Sequence, residues 1–164
     1  MLGWLRTRCP LDTHQKLWVE RRMLWLADRF GIERMRNARV IEPTSEFFPN
    51  DYSGSEDDAR KCFRRMCGYM QIDPDTLEMV IGTDEEMEDA AGLYERRERS
   101  RIWIRESQLA DPPSLLATIA HELAHELLLK GNHLTGHEPD HELVTDLLPV
   151  FLGIGIFGAN ATIR

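Results

Sequence analysis

The segment Leu115-Leu-Ala-Thr-Ile-Ala-His-Glu-Leu-Ala-His-Glu-Leu-Leu-Leu-Lys130 constrains the fold more tightly than any other part of the chain. Residues four apart on a helix share one face, about 5–6 Å apart at Cβ. If this run is helical, His121 and His125 can therefore converge on one ion at roughly 2.0–2.1 Å. Glu122 follows the first histidine directly, so its carboxylate stands beside the pair. There it can reach a metal-bound water without itself becoming a ligand, which makes it the candidate general base. A helix carrying a two-histidine clamp and an adjacent carboxylate is the fixed point from which the rest of the sequence is read.

Composition narrows the classes. A chain of 164 residues fits one domain and is long enough to bury roughly 70% of the surface its unfolded form exposes. With 42% hydrophobic and 29% charged residues, it is too apolar to be disordered. A net charge of −8 argues against a nucleic-acid partner, because such proteins present a basic face to phosphate. The arginines at 34, 36 and 39 and at 96, 97, 99 and 101 are interleaved with acidic residues and read as solvated faces. The N-terminal residues hold no apolar stretch suited to a signal peptide, and no run approaches the roughly 18 apolar residues of a spanning helix. The tract Pro149–Gly158 is shorter, carries three glycines and reads as a closely packed core segment. Cys9, Cys62 and Cys67 are odd in number and lack paired metal-ligand spacing, which fits reduced thiols. The expectation is a cytoplasmic protein with no membrane partner; oligomeric state is not legible.

Helical and strand signals alternate, with no internal repeat. Asp12 and Thr13 can cap a helix with apolar residues at Leu17, Trp18, Met23, Leu24, Trp25, Leu26 and Phe30, ending near Gly31. Residues 38–42 read as a strand before Pro43, and 43–54 as a loop. Ser55 and Asp58 resemble a capping box opening a helix with a core stripe at Ala59, Cys62, Phe63, Met66, Cys67 and Met70. Residues 77–81 form a second strand, the acidic run 84–89 a solvated turn or helix start, and 101–105 a third strand. The histidine helix starts at about 112 or 114, behind Asp111 and two prolines, and ends at Gly131-Asn132.

A catalytic zinc needs a third protein ligand and keeps its fourth position for water. His133, His137, Glu138, His141, Glu142 and Asp146 all qualify chemically. Pro139-Asp140 can open a helix that puts Glu142 in its first turn and Asp146 one turn later on the same face. Glu142 is then the leading third ligand, and Asp146 the group that accepts the outer N–H of a ligand histidine. His141, followed by His137, His133 and Asp146, remains as an alternative.

These residues resemble the zincin metallopeptidases, and among them the gluzincin pattern, in which His-Glu-x-x-His is followed by a glutamate on a later helix in a Glu-x-x-x-Asp context: His121, Glu122, His125, Glu142 and Asp146. Apolar framing by Ile119, Ala120, Leu123, Leu127 and Leu128 adds to the likeness. The layout over about 92–150 is similar to minimal cytoplasmic zincins of the ImmA/IrrE type. It departs from them at Glu142-Leu-Val-Thr-Asp146-Leu-Leu-Pro149, where those peptidases carry Asn and Phe-Ala. A metzincin is argued against, because its third histidine falls on Gly131; a SprT-like arrangement stays open through His141.

The resemblance implies an α+β, minimal zincin-like fold in a single domain over 1–164. Residues 1–91 supply N-terminal helices and strands, and 92–164 a strand, the active-site helix and the third-ligand helix. A small, mainly antiparallel or mixed sheet packs on the active-site helix. It further implies a zinc peptidase acting on peptide or protein substrates, with Ile102, Trp103 and Ile104 on an edge strand that guides extended substrate. Tyr94, His133 and His137 are the candidates for oxyanion stabilisation. A non-catalytic zinc-binding regulatory module on the same scaffold is the alternative.

Overall fold

The computed structural model describes residues 9–48, 51–88 and 90–162. The N-terminal residues considered above for a signal peptide fall largely outside them, as does the end of the acidic run. Asp12 caps α1 (Thr13–Phe30) by accepting the Gln15 N–H, while the Gln15 side chain accepts the Asp12 N–H, a reciprocal pair. Gly31, at φ 88°, ends α1 in a conformation that favours glycine and leads into α2 (Ile32–Arg36). Ser55 caps α3 (Glu56–Met70) by accepting the Asp58 N–H. The Asp58 carboxylate turns to Ser53 instead of completing a capping box.

The sheet has three strands: β1 (Leu77–Gly82), β2 (Gly92–Glu95) and β3 (Ser100–Arg105), in the order β1-β3-β2. It is mixed, with β1 parallel and β2 antiparallel to β3. Alternation along β3 buries Ser100, Ile102 and Ile104 and leaves Arg101, Trp103 and Arg105 partly covered, the period-two pattern of a strand with one face on a core. Residues 38–42, read as a strand, join no sheet. Val40 is exposed, whereas Ile41 is buried and donates its N–H to the Gly153 carbonyl at 2.9 Å. A Cβ on Gly153 would stand 2.6 Å from the Arg39 carbonyl oxygen, so this close crossing requires glycine. The strand β2 was not marked by sequence signals. It has four residues, begins at glycine and shows no buried alternation.

α4 (Pro112–His125) continues through a π-helical turn, Glu126–Lys130, and packs against α3, α5 (His141–Phe151), α6 (Ile156–Thr162), β2 and β3. Leu115, Leu116, Ile119, Ala120, Leu123, Ala124 and Leu128 are all buried. They meet the α3 stripe from one side and Ile102, Ile104, Val144, Leu148 and Phe157 from the others. α1 is more loosely seated: Leu26 is fully buried, but Leu24 is 71% exposed. The acidic run forms turns over its described part, and the tract from Pro149 holds the end of α5, a tight turn at Gly153 and the start of α6. No helix among the described residues is long and apolar enough to cross a membrane.

Since α4 is the hub, truncating it is costly. Leu123→Ala leaves a cavity at a fully buried position, and is expected to destabilise the protein by about 2–5 kcal/mol. Urea denaturation with an unchanged m-value measures it.

Candidate metal centre

His121 and His125 occupy successive turns of α4, and Glu142 the first turn of α5. The three form a group able to hold a metal ion, their ligand atoms all within 4.8 Å of one another. Glu142 Oε2 lies 3.2 Å from His121 Nε2 and 3.5 Å from His125 Nε2. Two ligands at tetrahedral angles around an ion, each roughly 2.1 Å from it, stand about 3.4 Å apart, so both carboxylate–imidazole gaps are of the size that a shared cation requires.

The outer ring nitrogens are engaged. His121 Nδ1 lies 2.8 Å from Asp146 Oδ1, so that Nδ1–H donates and Nε2 keeps its lone pair for a ligand. His125 Nδ1 lies 3.4 Å from Thr145 Oγ1, whose own hydroxyl donates to the His141 carbonyl at 2.9 Å. Thr145 was not singled out in the sequence. Its place three residues after Glu142 and one before Asp146, on the buried side of α5, was the available signal.

Glu122 is 5% exposed and lies under Gly92 of β2. Burial pushes its carboxyl up to about 7, opposed by nearby His121 and reinforced by the charge of Glu142. Burial and the neighbouring His121 push His125 down, which favours its neutral, ligating form. Burial alone would also lower His121, but Asp146, with Glu122 and Glu142, outweighs it and raises the value.

The group opens onto a cleft of about 380 Å³, lined by Gly92, Leu93, Tyr94, His121, Glu122, His125, Leu129, His141 and Glu142. A larger cavity, about 680 Å³, lies among Phe30, Arg34, Tyr69 and Leu152 and contains no member of the ligand group. His141 sits beside the group without joining it; its Nε2 lies 2.8 Å from Glu142 Oε1 and its Nδ1 3.0 Å from the Glu138 carbonyl. His133 packs on Phe30, ring centroids 4.8 Å apart, and His137 is exposed. Neither lines the cleft. The Tyr94 ring stacks on His125, but its hydroxyl donates to Glu126 at 2.8 Å and neighbours Ser100 at 3.2 Å.

The edge-strand expectation for Ile102, Trp103 and Ile104 needs correction. β3 is the central strand, paired on both sides, and Ile102 and Ile104 are fully buried. Its backbone groups are already used by β1 and β2, leaving none for an added strand. β2 is the edge strand at the cleft. Arg105 donates its N–H to the Ala91 carbonyl at 3.1 Å, which sets the alternation so that Gly92 and Tyr94 turn their backbone groups away from β3. On β1, at the opposite edge, the carbonyls of Leu77 and Met79 accept from Arg99 and Arg60.

No family model matches the chain, and no curated protein or solved structure matches it either.

The raised Glu122 value carries a pH dependence. A carboxyl whose folded-state value lies above its ordinary 4.5 favours folding in its protonated form. That stability is fully present below about pH 4.5 and is lost as the pH rises through about 7. In metal-free protein, Glu122→Gln removes this slope and is more stable than wild type above neutrality by roughly 1–3 kcal/mol. Denaturation of chelator-stripped protein at pH 5 and pH 8 checks it; parallel pH profiles for the two proteins would contradict the assignment.

Proposed function

We propose that the chain is a zinc-dependent peptidase of the zincin type, with His121, His125 and Glu142 as ligands and Glu122 as general base. The observation that carries the reading is the meeting of two α4 imidazoles and the α5 carboxylate at ligand spacing, directly beside a buried carboxyl. Two histidines with one carboxylate is a donor set that suits zinc and leaves a coordination position open. Bound there, zinc supplies a Lewis acid for the scissile carbonyl and acidifies water towards neutrality.

The protein's own groups do the rest. Glu122, buried beside the ligand group, takes a proton from the attacking water and delivers it to the leaving amine. Asp146 and Thr145 hold the ligand imidazoles by their outer nitrogens. The Tyr94 hydroxyl is engaged by Glu126, and both ring nitrogens of His141 have acceptors beside them, so neither side chain is free to meet an oxyanion. The outward backbone groups of Gly92 and Tyr94 supply hydrogen bonds to an extended peptide added to β2. The guanidinium bonds on β1 support that choice of edge.

Wild-type protein purified without added metal is expected to carry stoichiometric zinc. His125→Ala loses tight binding, whereas Glu122→Gln keeps the metal and slows peptide hydrolysis by roughly 10²–10⁴-fold. Metal analysis beside a peptide-library assay tests both, and full activity in Glu122→Gln would overturn the assigned base. Zinc without hydrolysis of any peptide would leave the non-catalytic module. A Cβ at Gly92 would come within 2.6 Å of Glu122 Oε1 and 2.5 Å of Thr118 Cγ2. Gly92→Ala therefore displaces β2 or the base and is expected to lower kcat by roughly 10²-fold with zinc retained.

A further inference from the structure

The Glu142 helix begins in an unusual way. Asp140 stands at the N-cap of α5, where an aspartate ordinarily accepts a backbone N–H of its own first turn, yet it makes no such bond. Its carboxylate turns to α1 instead. Arg22 Nε donates to Asp140 Oδ2 at 2.8 Å and Arg22 Nη2 to Oδ1 at 2.6 Å, a two-pronged contact, while Trp18 Nε1 donates to Oδ2 at 2.8 Å. The Arg22 and Asp140 side chains are only 25% and 22% exposed, so the pair is partly shielded from water. Two residues on, the Glu142 side chain is 57% exposed, and its ion-pair partners among the described residues are the histidines His121, His125 and His141. Little of the protein's packing therefore holds that carboxylate in place; its position follows from where the first turn of α5 is held.

We propose that Trp18 and Arg22 are positioning residues for the metal centre: by clamping Asp140 they fix the first turn of α5 and set how tightly Glu142 can bind a cation. The inference rests on the metal-centre reading above and extends it to α1, an element outside the segment that resembles zincins. A planar guanidinium suits the role because its paired donors fix orientation as well as distance. A point charge there keeps attraction but loses the angle.

The test is zinc affinity, measured by competition with a chromophoric chelator on the full chain. Arg22→Met is expected to weaken zinc within the roughly 10–100-fold range seen when groups behind metal ligands are removed. Arg22→Lys recovers part of the loss, and Trp18→Phe, which deletes only the indole donor, weakens binding less. In a Glu142→Gln background, Arg22→Met should leave the residual affinity unchanged, because the clamp acts through that carboxylate. Circular dichroism and urea midpoints establish that each variant is folded; if Arg22→Met is not, Trp18→Phe carries the same comparison. Wild-type affinity in both clamp variants overturns the inference, as does an equal loss with and without Glu142, which marks a general structural effect. Failure of the wild-type chain to bind zinc removes the metal-centre reading itself, and the inference with it.

Discussion

Burial of α4 on most of its circumference is the constraint on which the rest of the structure depends. The helix is flanked by α3, α5, α6, β2 and β3, and Leu115, Ile119, Leu123, Ala124 and Leu128 are completely covered. The apolar area removed from water there fixes the helix by contributions of about 1.5–3 kcal/mol for each large side chain. Three polar residues, His121, Glu122 and His125, are carried into this setting. Their desolvation is unfavourable unless partners meet them; Asp146, Thr145 and Glu142 meet the two imidazoles, whereas burial holds Glu122 towards its neutral form.

The same burial sets the electrostatics. Glu122 is nearly inaccessible, so its proton is held up to about 7, whereas exposed Glu142 keeps an open side towards the cleft. Two glutamates on facing helices thus stand in different environments, one buried and held towards its neutral form, the other open to the cleft. The π-helical turn after His125 belongs to this arrangement. It places Glu126 in the interior, where Tyr94 and Lys130 meet it, and the Tyr94 ring closes over His125. Irregular helical turns of this kind are frequently found at functional sites.

β2 and α1 show how parts of weak sequence signal complete the site. β2 is only four residues long, but Gly92 lets the strand approach Glu122 closer than any side chain would allow. α1 fully buries Leu26 and packs Trp18, Met23, Trp25, Ala27 and Phe30 partly against the core, and its Trp18 and Arg22 reach the start of α5. Both contacts join residues far apart in the chain, and neither follows from a local pattern.

Local pattern along the chain was enough for α1, α3 and α4, the strands at 77 and 101, and the grouping of His121 with His125. Each of these rests on local periodicity, caps or i,i+4 spacing, which act within a few residues. It also nominated Glu142 and Asp146 through their one-turn spacing, though whether α5 faced the clamp was beyond any local rule. Long-range packing settles the rest: β3 is central and β2 the edge, residues 38–42 pair with no strand, and Tyr94 spends its hydroxyl on Glu126. The reason is physical: which strand lies beside which, and which buried donor finds which acceptor, are set by packing between segments distant in sequence. A single β pattern reads the same at the centre of a sheet as at its margin.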